Sequence, residues 1–451
     1  MEIPRIVIAG TTSSVGKTSI TAAIIHGIKK HGYTVQPFKV GPDFIDPSYL
    51  STVSGRLARN LDPWLMGSQG VVKSFVKNSD SDFSVVEGVM GFYDGFSGTT
   101  NFSSTYHVAN ILKTPVILVL DASKTARSIA AIALGFTKFQ KNSRIMGLIL
   151  NKIGSKKHEE LCRQALATLK LPILGVIPRK TNLTLESRHL GLIPVKESQA
   201  AQSKIRIIAK SISDFIDIDK IIQMGKKAPH LPKILLDKKP KHKTTIAVAL
   251  DESFNFYYQD NLDALRTEGA MIKFFSPVSD SKVPDCDGIY IGGGFPEILG
   301  RSLEKNQGMQ KTIKKLAEND VPIYAECGGL MYLTKSIDYN YKKFKMVGFF
   351  DATTKMQKRL KLNYTKATVS HDCLISKSFK VIQGHEFHFS ELESLRNDVK
   401  FAYDLSVGIG IKNKKDGLME HNTLASYMHL HFANSAFAKN FVQSCIKNSR
   451  R

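Results

Sequence analysis

The chain has 451 residues, 42% of them hydrophobic and 23% charged, with a formal net charge of +23. That length exceeds what one hydrophobic core organises, so two or three domains of an ordinary soluble protein are expected. No apolar run nears the roughly 18 residues of a membrane span, no signal-peptide layout precedes the first strand, and no arginine-rich arm or RNP-like stretch accompanies the charge. A cytoplasmic protein with neither membrane nor nucleic-acid partner is expected, its lysines spread over solvated faces or turned toward a polyanionic small substrate.

In chain order, short apolar runs at 6–9, 34–39, Phe83–Glu87, Val116–Asp121, 146–151 and 174–178 read as strands. Amphipathic stretches such as 19–30 and 158–169 lie between them. Repeated βα units of this kind predict a parallel sheet covered by helices. Residues 225–244 then hold Pro229, Pro232 and Pro240 among seven lysines and read as a linker. A second α/β pattern follows, with strands at 245–250, 272–275, 287–291 and 321–325 and a helix near Gln259–Glu268. The expected division is a first domain over 1–225, a basic linker over 226–243 and a second domain over 244–451. Each domain is expected to be a largely parallel sheet flanked by helices.

The first chemical motif is Gly10-Thr11-Thr12-Ser13-Ser14-Val15-Gly16-Lys17-Thr18, between a strand and a helix. Gly16 lets the backbone approach a phosphate, successive N–H groups around Thr12 form an anion nest, and the helix N-terminus adds positive potential. Lys17 would reach the β- and γ-phosphates of ATP and the Thr18 hydroxyl would ligate Mg²⁺. The usual pattern places its first glycine where Thr11 stands; here it is Gly10. Carboxylates gather where other strands should end: Glu87, well placed to complete an Mg²⁺ shell, then Asp43, Asp46 and Asp94. Asn151, at another strand end, suits either reading of an adenine edge or capping of the next helix.

Five dispersed cysteines without C-x-x-C spacing argue against a disulfide framework or a structural zinc site. Cys327 alone lies in a strand–polar–Cys–Gly–Gly–helix segment, Ile323-Tyr324-Ala325-Glu326-Cys327-Gly328-Gly329. Small neighbours permit a strained turn that exposes a nucleophile. The helix N-terminus is expected to lower the thiol pKa. The Gly328 N–H would stabilise an oxyanion, with Gly293 of the Gly292-Gly293-Gly294 turn as second donor. A nucleophilic cysteine needs a base, and the best candidates are His429 and His431, with His385 and His388 as a second group.

These stretches, together with Lys39–Pro47, Leu190-Gly191-Leu192 and Ser426–Phe432, occur in the order seen in the cobyrinate a,c-diamide synthase family, which the whole chain resembles. The first half resembles the dethiobiotin synthetase type of P-loop domain, which also lacks the first glycine. The second resembles a class I glutamine amidotransferase with Cys and His but a reduced triad. The resemblance implies that Cys327 attacks the glutamine amide with His429 as its base, chosen over His431 by its spacing from Tyr427. It implies that Lys17 and Thr18 hold ATP·Mg²⁺, and Gly10, Thr12, Gly16 and Asn151 are expected to complete the ATP site. Thr18, Glu87 and Asp43 are expected near Mg²⁺, and Asp43, Phe44, Ile45 and Asp94 on the substrate side. The implied substrate is a corrinoid or related tetrapyrrole polycarboxylate, amidated at its a and c side chains. Hydrogenobyrinate and nickel-sirohydrochlorin remain sister substrates, and a P-loop switch ATPase with an inactive glutaminase-like appendage is the rival from another class. Oligomeric state is left open, a homodimer included.

Overall fold

A computed structural model describes residues 1–179, 199–234, 241–396, 398–433 and 435–450. The stretch Leu190-Gly191-Leu192 and part of the expected linker lie outside them. The chain separates into two compact units, Met1–Leu236 and Asp237–Arg451.

Among the described residues of the first unit seven strands run Arg5–Gly10 (β1), Val35–Val40 (β2), Arg59–Leu61 (β3), Phe83–Glu87 (β4), Val116–Asp121 (β5), Ile145–Ile153 (β6) and Ile173–Pro178 (β7). They form one sheet in the order β3-β2-β4-β1-β5-β6-β7, every pair parallel. β1, β2 and β4 are buried along their whole length, and Ile6–Ala9 of β1 accordingly reads as a continuous apolar run. The helix Lys17–Lys30 packs Ile20, Ile24, Ile25 and Ile28 into a core with Ile6, Ile8 and Phe83. Because all strands are parallel, Gly10, Val40, Glu87 and Asn151 arrive at one edge. The strand order reverses on either side of β1, and ligand crevices of open α/β sheets form there.

In the second unit the strands are Thr244–Ala249 (β8), Ala270–Phe275 (β9), Gly288–Ile291 (β10), Ile323–Glu326 (β11), Thr334–Tyr339 (β12), Lys342–Lys345 (β13), Phe350–Val369 (β14), Val381–Glu393 (β15), Lys400–Val407 (β16), Lys415–Glu420 (β17), Thr423–Ser426 (β18) and Met428–Leu430 (β19). Only β18-β11-β10-β8-β9 is the expected parallel sheet. Beyond β18 the sheet continues antiparallel through β17, β16 and β14, then to β12 in parallel and β13 antiparallel, while β15 pairs antiparallel with β14 and β19. The sheet is therefore mixed, correcting the largely parallel expectation for this domain. Period-2 alternation sends Ile289, Ile291, Ile323 and Ala325 to one face and Tyr290 and Tyr324 to the other. Among the described residues no helix is long and apolar enough to cross a membrane.

Candidate functional site

Two constellations stand out, one in each unit. In the first, β1 ends at Gly10 and the loop folds back so closely that a Cβ on Gly10 would lie 2.6 Å from Val15 Cγ2. The requirement for glycine therefore falls on position 10, and Thr11 is tolerated. Gly16 adopts φ 95°, and a Cβ there would meet Asn151 Nδ2 at 2.4 Å. Asn151 Nδ2 donates to the Val15 carbonyl at 2.8 Å, while its Oδ1 accepts from the Lys152 N–H. Lys152 Nζ in turn bonds Asp121 and reaches the Ser14 carbonyl. Asn151 thus braces the phosphate loop; Ser155, not Asn151, caps the following helix.

Lys17 Nζ donates to the carbonyls of Thr12 at 3.1 Å and Met90 at 2.5 Å, curling over the loop. Burial, then the neighbouring Lys39 charge, lowers its pKa to about 8, against the pull of Glu87, Asp46 and Asp94. The Thr18 hydroxyl donates to Glu87 Oε1 at 2.8 Å. Lys39, at the end of β2, reaches Asp46 Oδ2 at 2.6 Å, Glu87 Oε1 at 2.9 Å and the Gly88 carbonyl at 3.1 Å. Glu87 is fully buried, and burial with the Asp46 charge pushes its pKa up to about 7 despite Lys39. Its Oε2 has no hydrogen-bond partner among the described residues. An unpartnered buried carboxylate oxygen beside a threonine hydroxyl is an oxygen donor set that fits Mg²⁺.

Asp43 is turned differently. Its Oδ1 accepts from the backbone N–H groups of Ile45 and Asp46, fixing the start of the helix Asp46–Ser54, and its Oδ2 lies 3.9 Å from Lys39. Phe44 and Ile45 are half-buried on the same loop, whose carbonyls at Gly41 and Asp43 are held by Asn60. Asp94 is exposed and its Oδ2 accepts from Gly91 N–H, while Phe92 N–H donates to the Gly10 carbonyl, tying this loop to the phosphate loop. Lys39, which links Glu87 to Asp46 and Asp43, was not picked out individually from the sequence, whereas Asp46 was named among the strand-end carboxylates without a role. Their signal was present, since both lie in the quoted Lys39–Pro47 stretch.

In the second unit Cys327 follows β11 with φ 48° and ψ −99°, a backbone state that L residues rarely adopt, and leads into the helix Gly328–Leu333. Its N–H is tied to the Ser426 carbonyl at 2.7 Å and its carbonyl accepts from Met331. A Cβ on Gly329 would lie 2.3 Å from the Ile291 carbonyl, and one on Gly294 (φ 152°) 2.0 Å from that of Ser253. Glycine lets the helix sit directly on the end of β10. The Cys327 thiol donates to the Phe387 carbonyl at 3.5 Å. Burial raises its pKa strongly, with Glu297 and Glu326 adding to the effect, whereas the Gly328 N–H works in the other direction. The expected lowering of the thiol pKa is therefore outweighed: a six-residue helix offers too few amides to offset burial beside two carboxylates.

His429, on β19, is fully buried and pairs in register with His385, their rings 4.9 Å apart. Its Nδ1 lies 3.6 Å from Glu326 Oε2. A Cβ on Gly293 would be 2.5 Å from His429 Cε1 and 3.3 Å from Nε2, so this edge of the ring lies over the glycine turn. The same turn frames the elbow, because a Cβ on Gly328 would touch Gly294 N at 3.0 Å. His431 faces Tyr258 and Asp260 instead. His388 stacks on Tyr427 with ring centroids 3.7 Å apart, and burial lowers its pKa to about 3. Glu326 and Glu297 were missed as site residues, although Glu326 precedes Cys327 in the motif; a separation of about a hundred residues from His429 hides the partnership.

Two family models match: a CobQ/CobB/MinD/ParA nucleotide binding domain over residues 6–193 and a CobB/CobQ-like glutamine amidotransferase domain over 245–437. Curated relatives span the whole chain. One from Methanosarcina barkeri is 39% identical, covering 98% of this chain and 96% of its own. One from Dehalococcoides mccartyi is 42% identical over 98% of each, and one from Listeria innocua 40% identical over 95% and 96%. All three are named cobyrinate a,c-diamide synthase. With both halves and nearly the full length matched, the chain belongs to the cobyrinate a,c-diamide synthase family of glutamine-dependent carbon–nitrogen ligases.

Proposed function

We propose that the protein amidates the a and c side-chain carboxylates of cobyrinate, using ATP in the first unit and glutamine in the second. The observation that carries this reading is that one chain holds both the Lys17–Thr18–Glu87 cradle and the Cys327 elbow. Lys17 and the loop N–H groups would hold the ATP phosphates, Gly10, Thr12 and Gly16 shaping the loop and Asn151 bracing it. Mg²⁺, held by Thr18 and Glu87, would draw charge from the β- and γ-phosphates. Asp43 would join it only by loosening from Lys39. The substrate carboxylate would attack the γ-phosphorus and ADP would leave, with Phe44, Ile45 and Asp94 on the substrate side.

In the second unit the Cys327 thiol would give its proton to His429 and attack the glutamine amide carbon. The Gly328 N–H, with Gly293 as second donor, would hold the oxyanion. Ammonia would leave with the proton from His429, and water would release glutamate from the thioester. Ammonia would then attack the acyl phosphate and expel phosphate. Hydrolysis would waste an acyl phosphate in open water, so exclusion of solvent matters at both centres. The cytoplasm, where ATP and glutamine are supplied, is the proposed location. Mass spectrometry of cobyrinate after incubation with ATP, Mg²⁺ and glutamine tests the reading. Two successive replacements of OH by NH₂ are expected; unchanged cobyrinate alongside amidation of hydrogenobyrinate or nickel-sirohydrochlorin would reassign the substrate.

A further inference from the structure

We propose that Glu326, the residue immediately before the nucleophile, is the positioning carboxylate of the glutaminase centre, completing a Cys327–His429–Glu326 relay. This rests on the reading of Cys327 and His429 given above. Glu326 is the last residue of β11 and shares a sheet face with Tyr324, two residues earlier. It is 2% exposed, yet its carboxylate is well supplied with donors. Oε1 accepts from Tyr324 Oη at 2.7 Å and from the Leu430 N–H at 3.0 Å. Oε2 accepts from Tyr290 Oη at 2.9 Å and faces His429 Nδ1 at 3.6 Å.

The arrangement gives the imidazole a direction. Nδ1 is on the carboxylate side and Nε2 on the side of the Gly293 turn. A carboxylate at Nδ1 favours the tautomer that keeps its proton there, leaving Nε2 to take the thiol proton and return it to departing ammonia. The separation of 3.6 Å is an ion-pair distance, longer than a hydrogen bond, and such contacts commonly tighten once substrate is bound. The Leu430 N–H bond also anchors the backbone next to His429, so one side chain sets both strand and ring. Burial keeps the Tyr290 and Tyr324 phenols protonated, hence donors.

Other titratable groups around the ring do not substitute for this carboxylate. His385 stacks on His429 from β15, and burial holds it neutral, as it does His388. His431 is turned to Asp260, while Glu297 acts on the thiol.

The test compares Glu326→Gln, Glu326→Asp and Cys327→Ala in the full-length protein, measuring glutamine hydrolysis against pH and ammonium-dependent synthesis. Glu326→Gln should lower kcat for glutamine by about 100-fold with little change in KM, and Glu326→Asp should recover part of it. Loss of the carboxylate disfavours imidazolium, so the acidic limb of the glutaminase profile, set by the base that must be neutral to take the thiol proton, should move down by about one pH unit. Ammonium-dependent synthesis should persist, showing an undisturbed synthetase centre, and the unchanged KM for glutamine reports an intact glutaminase unit. A Glu326→Gln enzyme with unchanged kcat, or with a raised KM and an unmoved pH profile, would overturn the proposal. If Glu326→Gln stays active while Cys327→Ala is dead, the relay alone fails; glutaminase activity surviving in Cys327→Ala would remove the underlying site assignment as well.

Discussion

Cys327 and Glu87 are both held in states that the isolated amino acids disfavour. The elbow backbone at Cys327 stores about 1–3 kcal/mol of strain, stabilised by the bonds to Ser426 and Met331. Glu87 carries the clearest pH consequence. Its folded-state pKa is raised to about 7, and a metal requires the carboxylate form. Mg²⁺ affinity, measured with a non-hydrolysable ATP analogue, should therefore be steady above that pH and fall about tenfold per unit below it. A flat affinity from pH 5.5 to 8 would remove Glu87 from the metal shell. Lys17 has the opposite linkage: its pKa is lowered to about 8, so the ligand-free fold tolerates its neutral form better. The penalty of the buried charge is fully present below that value and disappears as pH rises toward 10.5. Lys17→Met should accordingly unfold at higher urea than the parent at pH 7 without nucleotide, while losing synthesis with either nitrogen source.

At the level of elements, legibility followed burial. The strands of the first sheet stood out because burial on both faces makes them near-continuous apolar runs, from Ile6 to Ala9 and from Val116 to Leu120. β3 was invisible, being three residues whose pattern adds no period. The antiparallel half of the second sheet was invisible for another reason. β14 exposes Lys355, Lys358 and Arg359 along twenty residues, so it offers no apolar run to mark it as a strand. The elbow was legible from Cys327-Gly328-Gly329, but its electrostatics were not, because the burial of the thiol and the approach of Glu297, thirty residues earlier, arise only in the folded chain. The seating of the elbow helix on β10 predicts that Gly329→Ala is far more harmful than an ordinary helix substitution. Its Cβ would sit 2.3 Å from the Ile291 carbonyl, and backbone must move. Glutamine-dependent activity should fall by about 100-fold or more, as a displacement near 1 Å does elsewhere, while ammonium-dependent activity remains; parental glutaminase kinetics in Gly329→Ala would contradict the seating.

For the whole molecule, the proposal divides nitrogen release from carboxylate activation and assigns each to its own compact unit. The net charge of +23 accords with a polycarboxylate substrate but does not identify it. Separable centres predict separable losses: Lys17→Ala should abolish product from glutamine and from ammonium alike, whereas Cys327→Ala should abolish only the first, by about a thousandfold or more. The most direct measurement supplies glutamine labelled with ¹⁵N in its amide, together with cobyrinate, ATP and Mg²⁺, and follows the label into product. The parent protein should yield cobyrinate diamide carrying two ¹⁵N atoms, and Cys327→Ala should yield it only when ¹⁵N-ammonium replaces glutamine. Labelled diamide formed by Cys327→Ala from glutamine would contradict the account.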